Sequence, residues 1–457
     1  MDAETQFRVG VQIKARPKKT FYEIYGNKHE IHLECNGEEK VATMEKKYKI
    51  LQVHNYYQIP GGEDTVVANE KKLLEEHGHT VIQYTRNNSD LKSLSKLGKM
   101  LLPFTTIFNP KTYREIKRII REEAIDIVHV HNTLNLISPS VYYAALKCKV
   151  PVVQTIHNFR LLCPGATFYR DGHICEDCVE HGLRCAVKHS CYRGSRVQTL
   201  ACVITTLIHR MTGIYNKINY LCLTEFTRQK MIQLYPKAKN YIKPNFVYDE
   251  GGNAEPEDYY LFIGRIEEIK GVDVLIDAFA KMPGVNLKIA GTGVLDQAIQ
   301  SRIEKENLTN IKLLGFQAKS EVNRLLKHAR ALIMCSQWYE TFGMVIAEAY
   351  SNGTPVIVGN IGNIKDLVED KITGLLFKYN SSDDLCNAVK SFERMDMSNM
   401  GRMGYRLYKS KLSPDANYRQ LRQIYHIVAN NGFKIIGGGN GALIHTISVQ
   451  PEFEVAA

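Results

Sequence analysis

A chain of 457 residues, 44% hydrophobic and 23% charged, is too long for one ordinary domain and too apolar to stay disordered. Its apolar runs fall short of the ~20 residues of a spanning helix. The first residues, MDAETQFRVG, lack the basic start and apolar core of an export signal, so the expected location is cytoplasmic. The net charge is +11, and residues 44–245 carry more than all of the surplus, since the remainder of the chain is slightly acidic. That half is the one expected to meet an anionic partner: a membrane surface, a phosphorylated substrate or nucleic acid.

Residues 1–43 mix charges with short apolar runs and are read as a peripheral N-terminal extension. The fold is expected to open at Met44. Ile50–His54 is a strand, Pro60-Gly61-Gly62 a turn, and Glu63–His77 carries apolar residues at helical spacing. Further strands are expected at Thr80–Tyr84, Ile125–His129, Pro151–Ile156 and Tyr220–Thr224, with helices around Ser140–Lys147 and Phe226–Leu234. Pro236–Asn245 breaks the alternation and reads as a junction. A second run places strands at Tyr259–Ile263, Leu287–Ala290, Ile311–Leu314, Ala331–Met334 and Thr354–Val358. Its helices are Val272–Ala280, Leu295–Glu306, Glu321–His328 and Met344–Ser351. Alternation of this kind predicts an α/β chain with two doubly wound domains, 44–245 and 257–410, facing across a cleft. A helix within 411–430 closes the chain, and the Gly-rich stretch 435–457 reads as a peripheral tail.

Ligands of open α/β sheets bind beyond the carboxyl ends of strands, and the informative residues sit there. Trp338-Tyr-Glu340-Thr-Phe342-Gly343-Met344 leads from a strand into a helix that carries Glu348. A helix N-terminus offers unpaired N–H groups to a phosphate, and glycine at 343 lets a ligand approach the backbone. Glu340 is placed to bind a polyol, Glu348 a second pair of hydroxyls such as a ribose. Gly264-Arg265 and Lys270-Gly271 bracket another strand-to-helix turn, where two cations suit a pyrophosphate. Gly291 and Gly293 form a turn that lacks the third glycine of a dinucleotide fingerprint. In the first domain Gly61-Gly62 follows the first strand, and His54-Asn55, His131-Asn132 and His157-Asn158 end strands as the expected polar floor of the cleft.

These motifs, over roughly residues 44–430, resemble the family 4 glycosyltransferases, the retaining, nucleotide-sugar-dependent group with the two-domain GT-B fold. The resemblance rests on Gly61-Gly62, Gly264-Arg265 with Lys270-Gly271, and the E-x7-E pair Glu340/Glu348. His54-Asn-Tyr-Tyr and Leu223-Thr-Glu-Phe-Thr-Arg228 further resemble members that assemble bacterial cell-surface polysaccharides. It implies that Arg265 and Lys270 hold the donor diphosphate, Glu340 the sugar hydroxyls and Glu348 the ribose. Gly343 and Met344 would offer backbone N–H groups, Gly62 would lie under the donor and His157 near its sugar. No metal is needed for the chemistry, and the acceptor is a glycan, expected to be lipid-linked. A nucleotide-sugar 2-epimerase and a non-catalytic glycan- or nucleotide-binding protein are the alternatives.

Two segments stand outside this frame. Cys175, Cys178, Cys185 and Cys191 lie in an insertion, 163–191, and can form a structural zinc site, remain thiols or pair as disulfides. Cys163 and histidines 173, 181 and 189 are alternative ligands. Residues 91–121 set Lys92, Lys96, Lys99, Lys111, Arg114, Lys117, Arg118 and Arg121 around Leu101, Leu102, Phe104, Ile107 and Phe108. That mixture predicts peripheral contact with an anionic membrane, on the inner face of the plasma membrane. No nucleic-acid module is recognisable, so nucleic acid is not an expected partner.

Overall fold

The computed structural model describes residues 30–35, 38–43, 46–58, 61–93, 95–249, 251 and 254–430. Pro60 and the tail 435–457 lie outside them. Residues 1–47 form a unit separate from 48–457. In it β1 (Glu30–Cys35) and β2 (Glu38–Thr43) pair antiparallel, inside the extension that the sequence reading left without elements. The period-two alternation Glu-Ile-His-Leu-Glu-Cys carries that strand.

The unit 48–457 holds two six-stranded parallel sheets. The first domain runs β3 (Lys49–Tyr56), α1 (Gly62–Glu76), β4 (Thr80–Asn87), α2 (Lys96–Ile107), α3 (Pro110–Glu122), β5 (Ile127–Val130), α4 (Ser140–Lys147) and β6 (Val152–Thr155). An insertion follows, with β7 (Tyr169–Arg170), β8 (His173–Ile174), α5 (Asp177–Glu180) and α6 (Arg184–Lys188). Then come α7 (Arg196–Met211), β9 (Asn219–Cys222), α8 (Glu225–Leu234) and β10 (Lys239–Ile242). The strand order is β10-β9-β6-β5-β3-β4. Residues 236–245, read from the sequence as a junction, therefore contain an edge strand. Only β9 pairs with it, and its burial is partial, so it lacks the apolar run of an inner strand.

The second domain runs β11 (Tyr260–Ile263), α9 (Val272–Ala280), β12 (Leu287–Ala290), α10 (Asp296–Lys305), β13 (Ile311–Gly315), α11 (Lys319–His328) and β14 (Leu332–Met334). It continues with α12 (Met344–Ser351), β15 (Val356–Gly359), β16 (Gly374–Phe377), α13 (Ser382–Phe392) and α14 (Met397–Leu407). The order is β13-β12-β11-β14-β15-β16. Every residue of β5, β6, β14 and β15 is buried, as expected for strands covered on both faces. The last helix, α15 (Pro414–Asn430), returns to the first domain. Its Tyr418, Leu421, Ile424, Tyr425 and Val428 pack with Tyr48, Ile50, Leu73, Ile127 and Val153. The chain thus crosses between the domains twice, and Asn417 Nδ2 donates to Pro244 O at 2.6 Å where the two crossings meet.

Each sheet has a point at which its strand order reverses: between β3 and β5 in the first, between β11 and β14 in the second. Ligands of such sheets bind at that crevice. The loops after β3, β5, β11 and β14 carry Gly61-Gly62, His131, Gly264-Arg265 and Trp338–Gly343.

Candidate active site

Glu340 is the centre of the second domain's loops. It is buried, and three donors converge on its Oε1: Lys270 Nζ at 2.5 Å, Ser336 Oγ at 2.7 Å and Trp338 Nε1 at 2.8 Å. Burial works to raise its pKa, but the Lys270 ammonium and these hydrogen bonds hold the carboxyl below the ordinary value, so it is ionised. The Lys270 side chain keeps 18% of its exposure. It lies 5.5 Å from the centroid of the Trp338 ring, the protein's single tryptophan. Sequence reasoning found Lys270 and Glu340 separately; the structure joins them as one ion pair at the cleft.

Gly343 caps α12 at φ 93°, a left-handed conformation that favours glycine, and no side chain caps the helix. The first N–H groups of α12 are therefore available to a ligand. Gly62, from the first domain, faces this turn: a Cβ on Gly62 would stand 3.8 Å from Met344 Cγ. The glycine loop and the Gly343-Met344 turn thus lie next to each other, and Phe342 is buried in the core. Glu348, one turn along α12, pairs with Lys319 Nζ at 2.5 Å. Arg265 is 65% exposed and paired with Glu267 at 2.9 Å, apart from the Glu340 knot.

Gly291 and Gly293 are explained by backbone against backbone. A Cβ on Gly291 would fall 1.8 Å from Gly264 O, and one on Gly293 2.2 Å from Ile266 O. These glycines let the β12 turn lie directly on the Gly264 loop.

In the first domain the expected polar cleft floor is corrected in part. Asn132 and Asn158 line a cavity at the ends of β5 and β6 together with His131 and the partly buried His157, but His54, His129 and His131 are themselves buried. They form a network beneath the cleft because β3 and β5 are central strands covered on both faces. Its core is Glu70 of α1, which binds Lys243 Nζ at 2.6 Å with both side chains wholly inaccessible. Glu70 Oε1 lies 2.9 Å from His129 Nδ1 and 3.3 Å from His131 Nε2. His131 Nδ1 meets His157 Nε2 at 2.9 Å, and His129 Nδ1 meets Tyr425 OH of α15 at 2.7 Å. Burial pushes His131 down to about 3 and His157 well below the ordinary range, so both imidazoles are neutral. Glu70 was missed in the sequence. Its signal was a carboxylate on the apolar stripe Val66, Val67, Leu73, Leu74 of one helix.

At the edge of the cleft, His54 Nε2 and Asp64 Oδ1 are 2.8 Å apart, and Tyr57 OH donates to Glu63 Oε2 at 3.0 Å. Burial pushes Glu63 up to about 8, against the opposing hydrogen bond from Tyr57. Thr224 and Thr227 of the Leu223–Arg228 stretch hydrogen-bond Asn363, and Phe226 N donates to Asp366 Oδ2 at 2.8 Å. That motif therefore joins the two domains.

In the insertion Cys163, Cys175, Cys178, Cys185 and Cys191 are all free, so no disulfide is formed there. Among the described residues only Glu70, His129 and His131 bring three metal-ligand atoms within 4.8 Å of one another. The charge there is balanced by Lys243, so that trio is an internal ion-pair network.

Two facing parallel sheets with a phosphate-ready helix end on one and a glycine loop on the other define a GT-B glycosyltransferase. The solved structure of Anabaena HepE with UDP and glucose has the same fold, at TM-score 0.58 and 17% identity, covering 83% of this chain and 99% of that one. The family model for Glycosyl transferases group 1 matches residues 248–409, and that for Glycosyltransferase Family 4 matches 60–174. An uncharacterized glycosyltransferase of Methanocaldococcus jannaschii is 27% identical over 74% of this chain and 86% of its own. An uncharacterized protein from a cps region of Klebsiella pneumoniae is 25% identical over 65% of this chain and 75% of its own. The chain belongs to the family 4 glycosyltransferases.

Proposed function

We propose that this glycosyltransferase moves a sugar, with retention, from a nucleotide-sugar donor to a membrane-borne glycan acceptor in cell-surface polysaccharide assembly. The observation that carries the donor half is the Lys270–Glu340 pair beside the uncapped N-terminus of α12. A diphosphate entering there meets one cation, Lys270, in the pocket, a second, Arg265, at its rim, and the first N–H groups of α12. These groups stabilise the charge that develops as the glycosidic bond to the diphosphate breaks. Glu340 receives sugar hydroxyls and Glu348 the ribose, each exchanging a lysine partner for ligand hydroxyls. The acceptor hydroxyl attacks the anomeric carbon from the face the diphosphate leaves, and a diphosphate oxygen takes its proton. Protein groups position and stabilise, so no side chain is assigned as general base. HepE, which shares the fold, binds UDP and glucose, which supports a uridine donor. The cps-region relative supports a polysaccharide role.

The acceptor half rests on a surface. Leu97, Met100 and Phe104 of α2 are 60–69% exposed. Beside α2 lies α7, with Val197 78% and Met211 86% exposed and His209 Nε2 bonded to Ile107 O at 2.9 Å. Lys96 and Lys99 alternate with these apolar residues along α2, a composition suited to an anionic bilayer. Sequence reasoning anticipated α2 and α3 but not α7. Among the described residues no helix is long and apolar enough to cross a membrane.

Incubating the protein with a panel of nucleotide sugars and a lipid-linked glycan extract tests the reading. Transfer with an unchanged anomeric configuration supports it. Inversion overturns the retaining mechanism, epimerised donor favours the 2-epimerase, and donor left unchanged favours a binding protein.

A further inference from the structure

The insertion between β6 and α7 has almost no core of its own. Its apolar centre is Cys178, Leu183, Ala186 and Val203, with Cys185, Val187 and Cys191 against them. Its regular structure is a two-residue hairpin and two helical turns. Yet the segment is held in contact with both halves of the active site. Tyr169 OH donates to Glu268 Oε1 at 3.3 Å, two residues before Lys270. Ile174 packs into the second domain's core, and Glu176 is bonded to Lys230. Phe168 anchors it in the first domain's core, but the stretch around the cysteines has little apolar burial to fix it.

The cysteines are arranged to do so, in a set that differs from the one the sequence suggests. Cys178 lies in the small apolar centre with Cys191 packed against it, and the thiols of Cys163, Cys175, Cys178 and Cys191 are close enough to interact electrostatically. Gly165 is the wedge between two of them: a Cβ there would stand 3.5 Å from Cys191 Cβ and 3.7 Å from Cys163 Sγ. Backbone bonds set the other positions. Cys163 N donates to Phe159 O and Cys175 N to Phe168 O, each at 2.8 Å, and the Phe159 and Phe168 rings lie 5.0 Å apart. Ala186 of α6 lies between the remaining pair: it packs with Cys178, and its carbonyl accepts from Cys191 N at 3.1 Å. Cys185 precedes Ala186 on α6, about 100° around the helix from that face. The Arg170 guanidinium interacts electrostatically with Cys175, and its buried Nε has no other hydrogen-bond partner. Donors of this kind, outside the ligand set, stabilise thiolates bound to a metal.

We propose that Cys163, Cys175, Cys178 and Cys191 bind one structural zinc ion, with Cys185 outside the site. The spacing C-x11-C-x2-C-x12-C puts a short central pair between two outer ligands, and four thiolates match closed tetrahedral zinc. A Zn–S bond of about 2.3 Å implies sulfurs roughly 3.8 Å apart. No three of the sulfurs lie within 4.8 Å of one another, so metal binding draws them inward as each ligating thiol releases its proton. The ion then serves as the core the insertion lacks, pinning Tyr169 at Glu268 of the second domain and Glu176 at Lys230 of the first.

The test uses the full chain expressed with zinc, and metal analysis and cobalt substitution as readouts. Wild type and Cys185→Ser are expected to carry about one zinc per chain. Their cobalt forms should show the thiolate charge-transfer and tetrahedral visible bands of a four-sulfur site. Cys163→Ser and Cys191→Ser should lose the metal, and amide exchange across 163–191 should accelerate at least tenfold when wild type is stripped. If the serine variants fail to fold, the wild-type cobalt spectrum and the Cys185→Ser stoichiometry still decide. Metal-free wild type overturns the proposal, as does zinc lost from Cys185→Ser. So does an intact mass lowered by disulfide formation.

Discussion

Two carboxylate–lysine pairs in this protein have nearly the same geometry and opposite roles. Lys270–Glu340 spans 2.5 Å at the cleft and Lys243–Glu70 spans 2.6 Å in the first domain's interior. The difference is water. The cleft pair keeps 18% and 10% of its side-chain exposure, whereas the interior pair keeps none. A partly hydrated pair can trade its partner for a ligand, because the released charge is resolvated or met by the ligand. A wholly buried pair cannot part without leaving a charge stranded in low dielectric. The first is therefore suited to binding and the second to architecture. The interior pair also links α1 to both domain crossings, through Lys243 and through His129 to Tyr425.

The contrast is broken most strongly at Glu70. Glu70→Gln strands the Lys243 ammonium and should cost about 3–5 kcal/mol of stability, read by urea unfolding. The double variant Glu70→Leu/Lys243→Met should recover most of that loss, since a well-packed apolar pair replaces a buried ion pair at little cost. Failure of the double variant to recover would show that the histidine contacts, and not the charge balance, dominate there.

At the cleft the expected loss is in rate. Lys270→Met should lower transfer by ~10²-fold or more, about the loss of one charge-stabilising donor. Its unfolding midpoint should stay close to wild type, because Glu340 keeps Ser336 and Trp338 as donors. Near-normal turnover would remove Lys270 from the donor site.

Glu63 sharpens the comparison by pH. Its folded-state pKa, about 8, lies above the ordinary 4.5, so between these values the folded state holds a proton that the unfolded chain has released. Glu63 should therefore make stability fall as pH rises across that interval. Glu63→Gln should flatten this part of the stability profile, measured by denaturant titration at several pH values. An unchanged slope would mean that Glu63 is ionised in the folded protein.

The remaining effects are at the surface and touch neither fold nor chemistry. Reversing Lys92, Lys96 and Lys99 to Glu should weaken flotation with anionic vesicles by ~1 kcal/mol or more per charge, an effect lost at high salt. Phe104→Ser and Met211→Ser should remove the part of binding that salt does not screen. Both variants should keep transfer to a soluble acceptor. Equal flotation of all forms would leave this face without a membrane role.

Much of this protein was legible in its sequence because the signals are local. Alternating strand and helix patterns give two parallel sheets, and turns such as Gly343 before Met344 mark helix ends wherever they lie. Lys270, Glu340 and Glu348 stand at or just inside such ends, so the sequence marks them without showing their contacts. What the tertiary structure alone decided is which residues meet. Glu70 finds Lys243, 173 positions away, and His129 finds Tyr425, 296 positions away. The edge strand β10 and the return of α15 to the first domain depend on which face of which sheet was left uncovered. Among the cysteines, the turn at Gly165 brings Cys163 beside Cys191, a meeting that spacing alone does not show. Periodicity reports how each segment meets water; it carries no information on its partner, which is chosen by the packing of segments distant in the chain.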